Sequence, residues 1–218
     1  KKLPKSFDAT IFLIGKKGGP GSLKIDNYKN YFKYNCETLI NFLDVKKINF
    51  QKKIIFFSTE HVYGDSTVIK NKNFNEQFPK NFYGSTKLFS EKILYNSWKK
   101  NKISVDIFRV PRIIIDKKKN LISDIFDRIK KNKDIIINTQ VKFHFIYIDD
   151  LISAIEKSLL QLKKRYRILN IYNNSGSFSI KEIALLILKK TKNKKKLNFK
   201  IKRADKEHNP KNLKISNH

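Results

Sequence analysis

Cysteine is nearly absent: Cys36 is the only one in 218 residues. That excludes an internal disulfide and fits a reducing, cytoplasmic setting. Methionine is missing altogether, so no initiator residue is visible. The opening Lys1-Lys2-Leu3-Pro4-Lys5 has no apolar core of the kind a signal peptide needs. No run of about 18 apolar residues occurs, so a membrane span is not expected. Arginine is scarce, six of the 48 basic residues, although the net charge is +29. A basic surface attracts phosphates of any kind. Specific nucleic-acid recognition adds arginine-rich grooves with interleaved aromatics, a zinc pattern or a helix-turn-helix, and none is present. The lysines are instead scattered among Asn and Ile, as a low-GC coding bias produces. No specific nucleic-acid partner is expected, and small anionic ligands are. Asp149 and Asp150 have no nearby His or carboxylate cluster in the sequence, so they read as helix caps and no metal site is expected.

What is present is enough apolar material for a core, 40% of the residues, 12% aromatic. It comes in short runs alternating with helical periods, the pattern of an α/β sheet. Thr10 to Ile14, Lys53 to Phe57, Ile103 to Phe108, Asp134 to Asn138, Phe143 to Ile148 and Arg167 to Tyr172 read as strands. Tyr28, Tyr31, Phe32, Asn35, Leu39, Phe42 and Leu43 form one helical stripe, and Tyr83, Lys87, Phe89, Ile93 and Leu94 another. Asn35 is a polar intruder that has to find partners, in a structural or a catalytic role. Ser179 with Glu182 makes a capping box ahead of a third helix. After the first strand, Gly15 to Gly21 is glycine-rich without the G-x-G-x-x-G arrangement, and its turn preferences alone explain it.

Two features point to chemistry. Ser58 and Thr59 close the second strand, at the carboxyl edge where open α/β sheets bind ligands. Tyr83 and Lys87, four residues apart, share a helix face. An ammonium beneath the phenol favours the ionised phenol and makes it an acid/base.

The ordered set Ser58-Thr59-Glu60-His61-Val62-Tyr63-Gly64, Tyr83-Gly-Ser-Thr-Lys87 with Glu91, and Phe145-Ile146-Tyr147-Ile148-Asp149-Asp150 resembles the extended short-chain dehydrogenase/reductase superfamily. Within it, the chain is similar to the NAD-dependent epimerase/dehydratase family of nucleotide-sugar enzymes. The resemblance implies a Rossmann-like doubly wound parallel sheet, with amino-terminal strands missing, and a small mixed α/β substrate-binding region. Residues 1–112 are then the carboxyl-side part of the dinucleotide-binding domain. Residues 113–218 form the mixed region, with 143–172 returning to the sheet. Family members begin with a strand, a G-x-x-G-x-x-G turn and two further strand units ahead of the counterpart of Ile11 to Ile14. A segment of about sixty residues, two βαβ repeats, is therefore expected upstream.

The resemblance also implies roles. Thr59, Tyr83 and Lys87 are the catalytic set. Gly15, Ser58, Tyr83, Lys87 and Pro111 face NAD or NADP. Thr59, Glu60, His61 and Arg112 face a nucleotide-sugar substrate. The family's 4,6-dehydratases carry Asp and Glu after the catalytic Thr. Glu60 and His61 stand there instead, as acid and base or as a mere lining of the cleft. That favours an epimerase or a 4-keto-sugar reductase. A truncated, non-catalytic binding module is the alternative. Only about 35 residues separate Arg109 from Phe145, so the substrate-binding insert is compact. Arg112 meets a diphosphate or stands in solvent. Homodimers through the helices around Asn35 and Tyr83 are a family trait and an expectation here.

Overall fold

The computed structural model describes residues 8–19, 22, 24–44, 53–64, 77–101, 103–116, 118–137, 142–161, 163, 165–173, 176–191 and 197–201. Lys1 to Lys5, Pro20, Gly21 and Asn138 lie outside the described residues. The chain divides into two compact units, Lys1–Ile114 with His144–Gly176, and Ile115–Phe143 with Ser177–His218.

The first unit is built on strands β1 (Ala9–Phe12), β2 (Lys53–Thr59), β3 (Ser104–Val110) and, later, β7 (Tyr166–Asn170). They form one parallel sheet in the order β1-β2-β3-β7. Parallel strands joined by crossovers are covered on both faces, which is why β2 and β3 read as near-continuous apolar runs. Alternation along β2 sends Ile54 and Phe56 to one face and Ile55 and Phe57 to the other. On the first face, Phe12, Leu39, Ile54, Phe56, Leu94, Val105 and Ile107 pack together. Helices α1 (Tyr28–Phe32), α2 (Thr38–Asp44) and α3 (Phe82–Asn101) run between these strands in the chain. On the second face, Ile55, Phe108, Val110, Ile146 and Leu151 pack with apolar residues of the later helix α5 (Ile148–Leu159). Each such side chain contributes about 1.5–3 kcal/mol when fully buried.

Several expectations shift. The first strand ends at Phe12, and Leu13 and Ile14 stand 65% and 55% exposed. Phe89 is not core: it is exposed, its ring packed on that of Phe32 at 5.8 Å. Of the expected run Phe143 to Ile148, only β6 (Phe145–Tyr147) is a strand, and it pairs in parallel with β4 (Arg112–Ile114). Within 143–172, Tyr166–Asn170 is the part that joins the main sheet. Pro111 is the reason β4 separates from β3: with no N–H to donate, it ends the ladder.

The second unit has helix α4 (Leu121–Lys130), strand β5 (Ile135–Ile137), helix α6 (Ile180–Lys190) and strand β8 (Phe199–Ile201). β5 and β8 pair in parallel, and Ile125, Ile129, Ile183 and Ala184 are buried. Both helices start in capping boxes. Ser179 Oγ accepts from the Glu182 N–H at 3.2 Å while Glu182 Oε2 accepts from the Ser179 N–H at 2.7 Å. Asn120 and Ser123 do the same for α4.

Candidate active site

The carboxyl ends of β1, β2 and β3 deliver the residues singled out from the sequence to one edge of the first unit. Between α1 and α2 the helix widens into a π-turn, Lys33–Glu37, whose buried members are Asn35 and Cys36. Single π-turns inside helices frequently mark functional positions. Asn35 is fully buried, and both ends of its side chain are hydrogen-bonded. Its Oδ1 accepts from the Lys16 N–H at 2.7 Å, its Nδ2 donates to Thr86 Oγ1 at 2.9 Å, and its carbonyl accepts from Ser90 Oγ at 2.7 Å. It thereby ties the loop after β1 to α3.

Helix α3 begins where Asn81 Oδ1 accepts from the Gly84 N–H at 2.9 Å. Its inward face is polar: Thr86, Lys87, Ser90 and Glu91 are all buried ahead of Leu94. Tyr83, on the first turn, lies by the Thr59 side chain, whose hydroxyl acts on the phenol. Thr59 also accepts from the His61 N–H at 3.3 Å, capping the 3-10 turn Glu60–Tyr63. The His61 ring stands edge-on to Tyr83, centroids 5.6 Å apart, and Tyr31 lies at 6.3 Å. A Cβ at Gly18 would fall 2.7 Å from the Tyr83 ring, so glycine is what lets the loop lie against the phenol.

Lys87 is buried, its ammonium 4.4 Å from the centroid of the Phe56 ring. Burial draws it down to about 8, against the opposing pull of Glu91 and Cys36. Burial pushes the Tyr83 phenol up; the Thr59 hydroxyl opposes this, and Tyr31 and Glu60 add to it. The expectation that Lys87 holds the phenol down is therefore not met. The ammonium is not among the groups acting on Tyr83, and desolvation outweighs the rest.

Gly15 completes this group. A Cβ there would lie 2.9 Å from Asn35 Oδ1 and 3.4 Å from Lys87 Nζ. Gly15, Gly18 and Gly21 do stand at G-x-x-G-x-x-G spacing. Here that loop leads to a 3-10 turn at Ile25–Asn27 and a helix only from Tyr28. A dinucleotide turn opens directly onto its helix.

Gly15, Thr59, Tyr83 and Lys87 thus come together, with His61 beside them. Ser58 turns elsewhere: its Oγ donates to Glu91 Oε1. Pro111 follows β3 half-buried, and Arg112 is exposed with its charge felt at His61. Glu60 is buried against His144.

Sequence reasoning missed two things. One is the buried chain in which Arg109 donates to Glu91 (3.1 and 2.6 Å) and to the Tyr63 hydroxyl (2.5 Å), which donates to Asn170 Oδ1 (2.9 Å). Its one signal was Glu91, four residues beyond Lys87 on the same helix face. The other is His144, which nothing in its local sequence marks. Among the described residues no three His, Cys, Asp or Glu are grouped to hold a metal ion, and no helix is long and apolar enough to cross a membrane.

Parallel strands, helical crossovers and a hydroxyl–phenol pair at the strands' carboxyl edge define an α/β protein of the Rossmann-like class. The chain belongs to the NAD dependent epimerase/dehydratase family, whose model matches residues 2–171. Among solved structures, it is similar to UDP-glucuronic acid 4-epimerase from Bacillus cereus in complex with UDP-glucuronic acid and NAD. The identity is 22% and the TM-score 0.73, over 90% of this chain and 63% of that one. UDP-N-acetylglucosamine 4-epimerase from Bacillus cereus matches at 22% identity and TM-score 0.70, over 91% of this chain and 68% of that one. RMD from Pseudomonas aeruginosa, complexed with NADPH, matches at 19% and 0.74, over 91% and 69%. These likenesses show the fold, and the chain spans less than two thirds of the first protein's length. No curated protein matches the chain.

Proposed function

We propose that the protein is an NAD(P)-dependent nucleotide-sugar epimerase or a closely related sugar-nucleotide oxidoreductase. The observation that carries this reading is the meeting at one strand edge of the Thr59 hydroxyl, the Tyr83 phenol and, one turn further along α3, the buried Lys87 beside Gly15. Gly15 supports a cofactor at the same edge: its bare backbone lies beside the ammonium where any side chain would fill the space. A nicotinamide ring bound there would supply the hydride acceptor and donor.

The chain's own residues handle the proton. Thr59 and Tyr83 hold the reacting sugar oxygen between two hydroxyls. With its ionisation pushed up, Tyr83 keeps its proton at neutral pH, the state that protonates an oxygen as a keto group is reduced. In the oxidising direction Tyr83 receives the hydroxyl proton. Lys87 holds the cofactor ribose. Pro111 lines the nicotinamide pocket. Glu60, His61 and Arg112 line the sugar-nucleotide side, Arg112 against the diphosphate. Ser58 acts from behind, through Glu91.

The same reading places the protein in the reducing cytoplasm, in keeping with its single, free Cys36. It also takes the exposed aromatic residues Phe32 and Phe89 of α1 and α3 as the face by which two copies pair.

The test is incubation of the protein, at its full natural length, with NAD or NADP and a set of nucleotide sugars. Interconverted 4-epimers without net change in the cofactor support the epimerase. Net oxidation or reduction of nicotinamide points to the reductase, and loss of water to the dehydratase. A folded protein that does none of these with any nucleotide sugar contradicts the proposal.

A further inference from the structure

Glu60 follows Thr59 directly and is 9% exposed; His144 precedes β6 and is 4% exposed. Glu60 Oε2 and His144 Nδ1 face each other at 3.3 Å. Both atoms are closed off from solvent, and neither is aligned in a hydrogen bond. Tyr172 stands edge-on to the imidazole, centroids 5.7 Å apart at 62°, and fixes its plane. A carboxylate in such a place is costly unless a positive or proton-donating partner meets it. Among the described residues His144 is the ion-pair partner found for that oxygen.

The pair does not stand apart from Tyr83. The charge of Glu60 acts on the phenol and on His61. The pair carries no net charge with one proton shared between carboxylate and imidazole, and one negative charge without it.

We propose that Glu60 and His144 are a positioning pair behind Thr59 that holds one proton between them, and that gain or loss of this proton changes the charge felt by Tyr83. The inference rests on the reading of Tyr83 as the acid/base, and makes the proton affinity of that group depend on pH. With the proton held, Tyr83 ionises more easily; once it leaves, the added negative charge makes the phenol hold its own proton more tightly. The other titratable groups that act on Glu60, on Tyr83 or on the imidazole are His61 on the same turn, Arg112 at the start of β4, Tyr31 from α1 and Tyr172 against the imidazole.

The experiment is carbon-13 NMR of ring-labelled tyrosine in the full-length protein, with Tyr83 assigned through Tyr83→Phe. Spectra are followed between about pH 5 and 8, the range in which imidazoles change charge. The wild-type Tyr83 signal is expected to carry a titration step that disappears in Glu60→Gln and in His144→Gln and persists in His61→Gln. If a single variant does not fold, the exchanged double variant Glu60→His/His144→Glu keeps both groups and is expected to retain the step. No step in the folded wild type, or a step that survives His144→Gln, overturns the pair. The pH profile of kcat/KM on a nucleotide sugar separates the two claims. A step in the Tyr83 signal without turnover at any pH supports the pair and contradicts the oxidoreductase. Turnover without the step contradicts the pair alone.

Discussion

Strand β3 buries a charge near each end, and the two surroundings differ. Near its start Asp106 is saturated. It accepts from Arg167 Nε at 2.7 Å and Nη2 at 2.5 Å and from Ser158 Oγ at 2.5 Å, with Lys53 Nζ at 2.9 Å. Burial pushes this carboxyl up, yet the hydrogen bonds from Arg167, Ser158 and Lys53 outweigh it and hold it below its ordinary range. Near the other end Arg109 and Glu91 are closed in the same bidentate way. Next to them, however, lie groups that burial drives toward their neutral forms, Lys87 downward and Tyr83 upward. Buried charges whose every valence is met hold a scaffold together. Under the proposed function, the buried groups shifted toward neutrality are the ones that exchange protons, at the working end of the sheet.

The sharpest way to break this contrast is Tyr83→Phe. With Tyr83 as the acid/base proposed above, its loss is expected to lower turnover by about 10²–10⁴-fold. Denaturant unfolding should leave the variant near wild-type stability, because the phenol oxygen is not part of either saturated cluster. Next come Asp106→Ala and Glu91→Ala, each of which strands buried cations. Each is expected to cost about 3–5 kcal/mol in chemical denaturation.

Lys87→Met should act in the opposite sense. The lysine takes up its proton only below about 8 in the folded state, against an ordinary value of 10.5. Below pH 8 both states are protonated and the full penalty of a buried charge is present. Between about 8 and 10.5 the unfolded chain binds more protons, so wild-type stability rises with pH, by roughly 1.4 kcal/mol per unit at most. The methionine variant is therefore expected to be the more stable one at neutral pH, and its advantage should shrink as pH rises toward 10.5 in parallel melts. A variant less stable than wild type at pH 7 contradicts this. Smallest is Ser179→Ala, in the other unit. Loss of one cap should cost about 1 kcal/mol there and leave both clusters of β3 untouched, as hydrogen exchange of α6 would read.

Much of this was legible in the residues. Runs such as Ile54-Ile55-Phe56 can only be strands covered on both faces, and Ser179 with Glu182 announced α6 by local chemistry alone. Thr59, Tyr83 and Lys87 were legible because each sits at a fixed offset from a strand end or along one helix face. The inner face of α3 was not. Periodicity counts apolar residues, and the buried positions there are Thr86, Lys87, Ser90 and Glu91. The π-turn at Lys33–Glu37 leaves no mark in composition, although Asn35 stood out as a polar residue in need of partners. The partner of β6 depended on where Pro111 ends β3, and the pairing of Glu60 with His144 depends on tertiary placement.

The central claim is that the carboxyl edge works while the amino edge holds. It is tested most directly by the affinity of the full-length protein for NAD(P)H, measured by nicotinamide fluorescence for wild type, Lys87→Met and Asp106→Asn under conditions where all three are folded. The account predicts binding weakened at least about tenfold, some 1.4 kcal/mol, in Lys87→Met and unchanged in Asp106→Asn. Equal affinity in wild type and Lys87→Met, or a loss confined to Asp106→Asn, would contradict it.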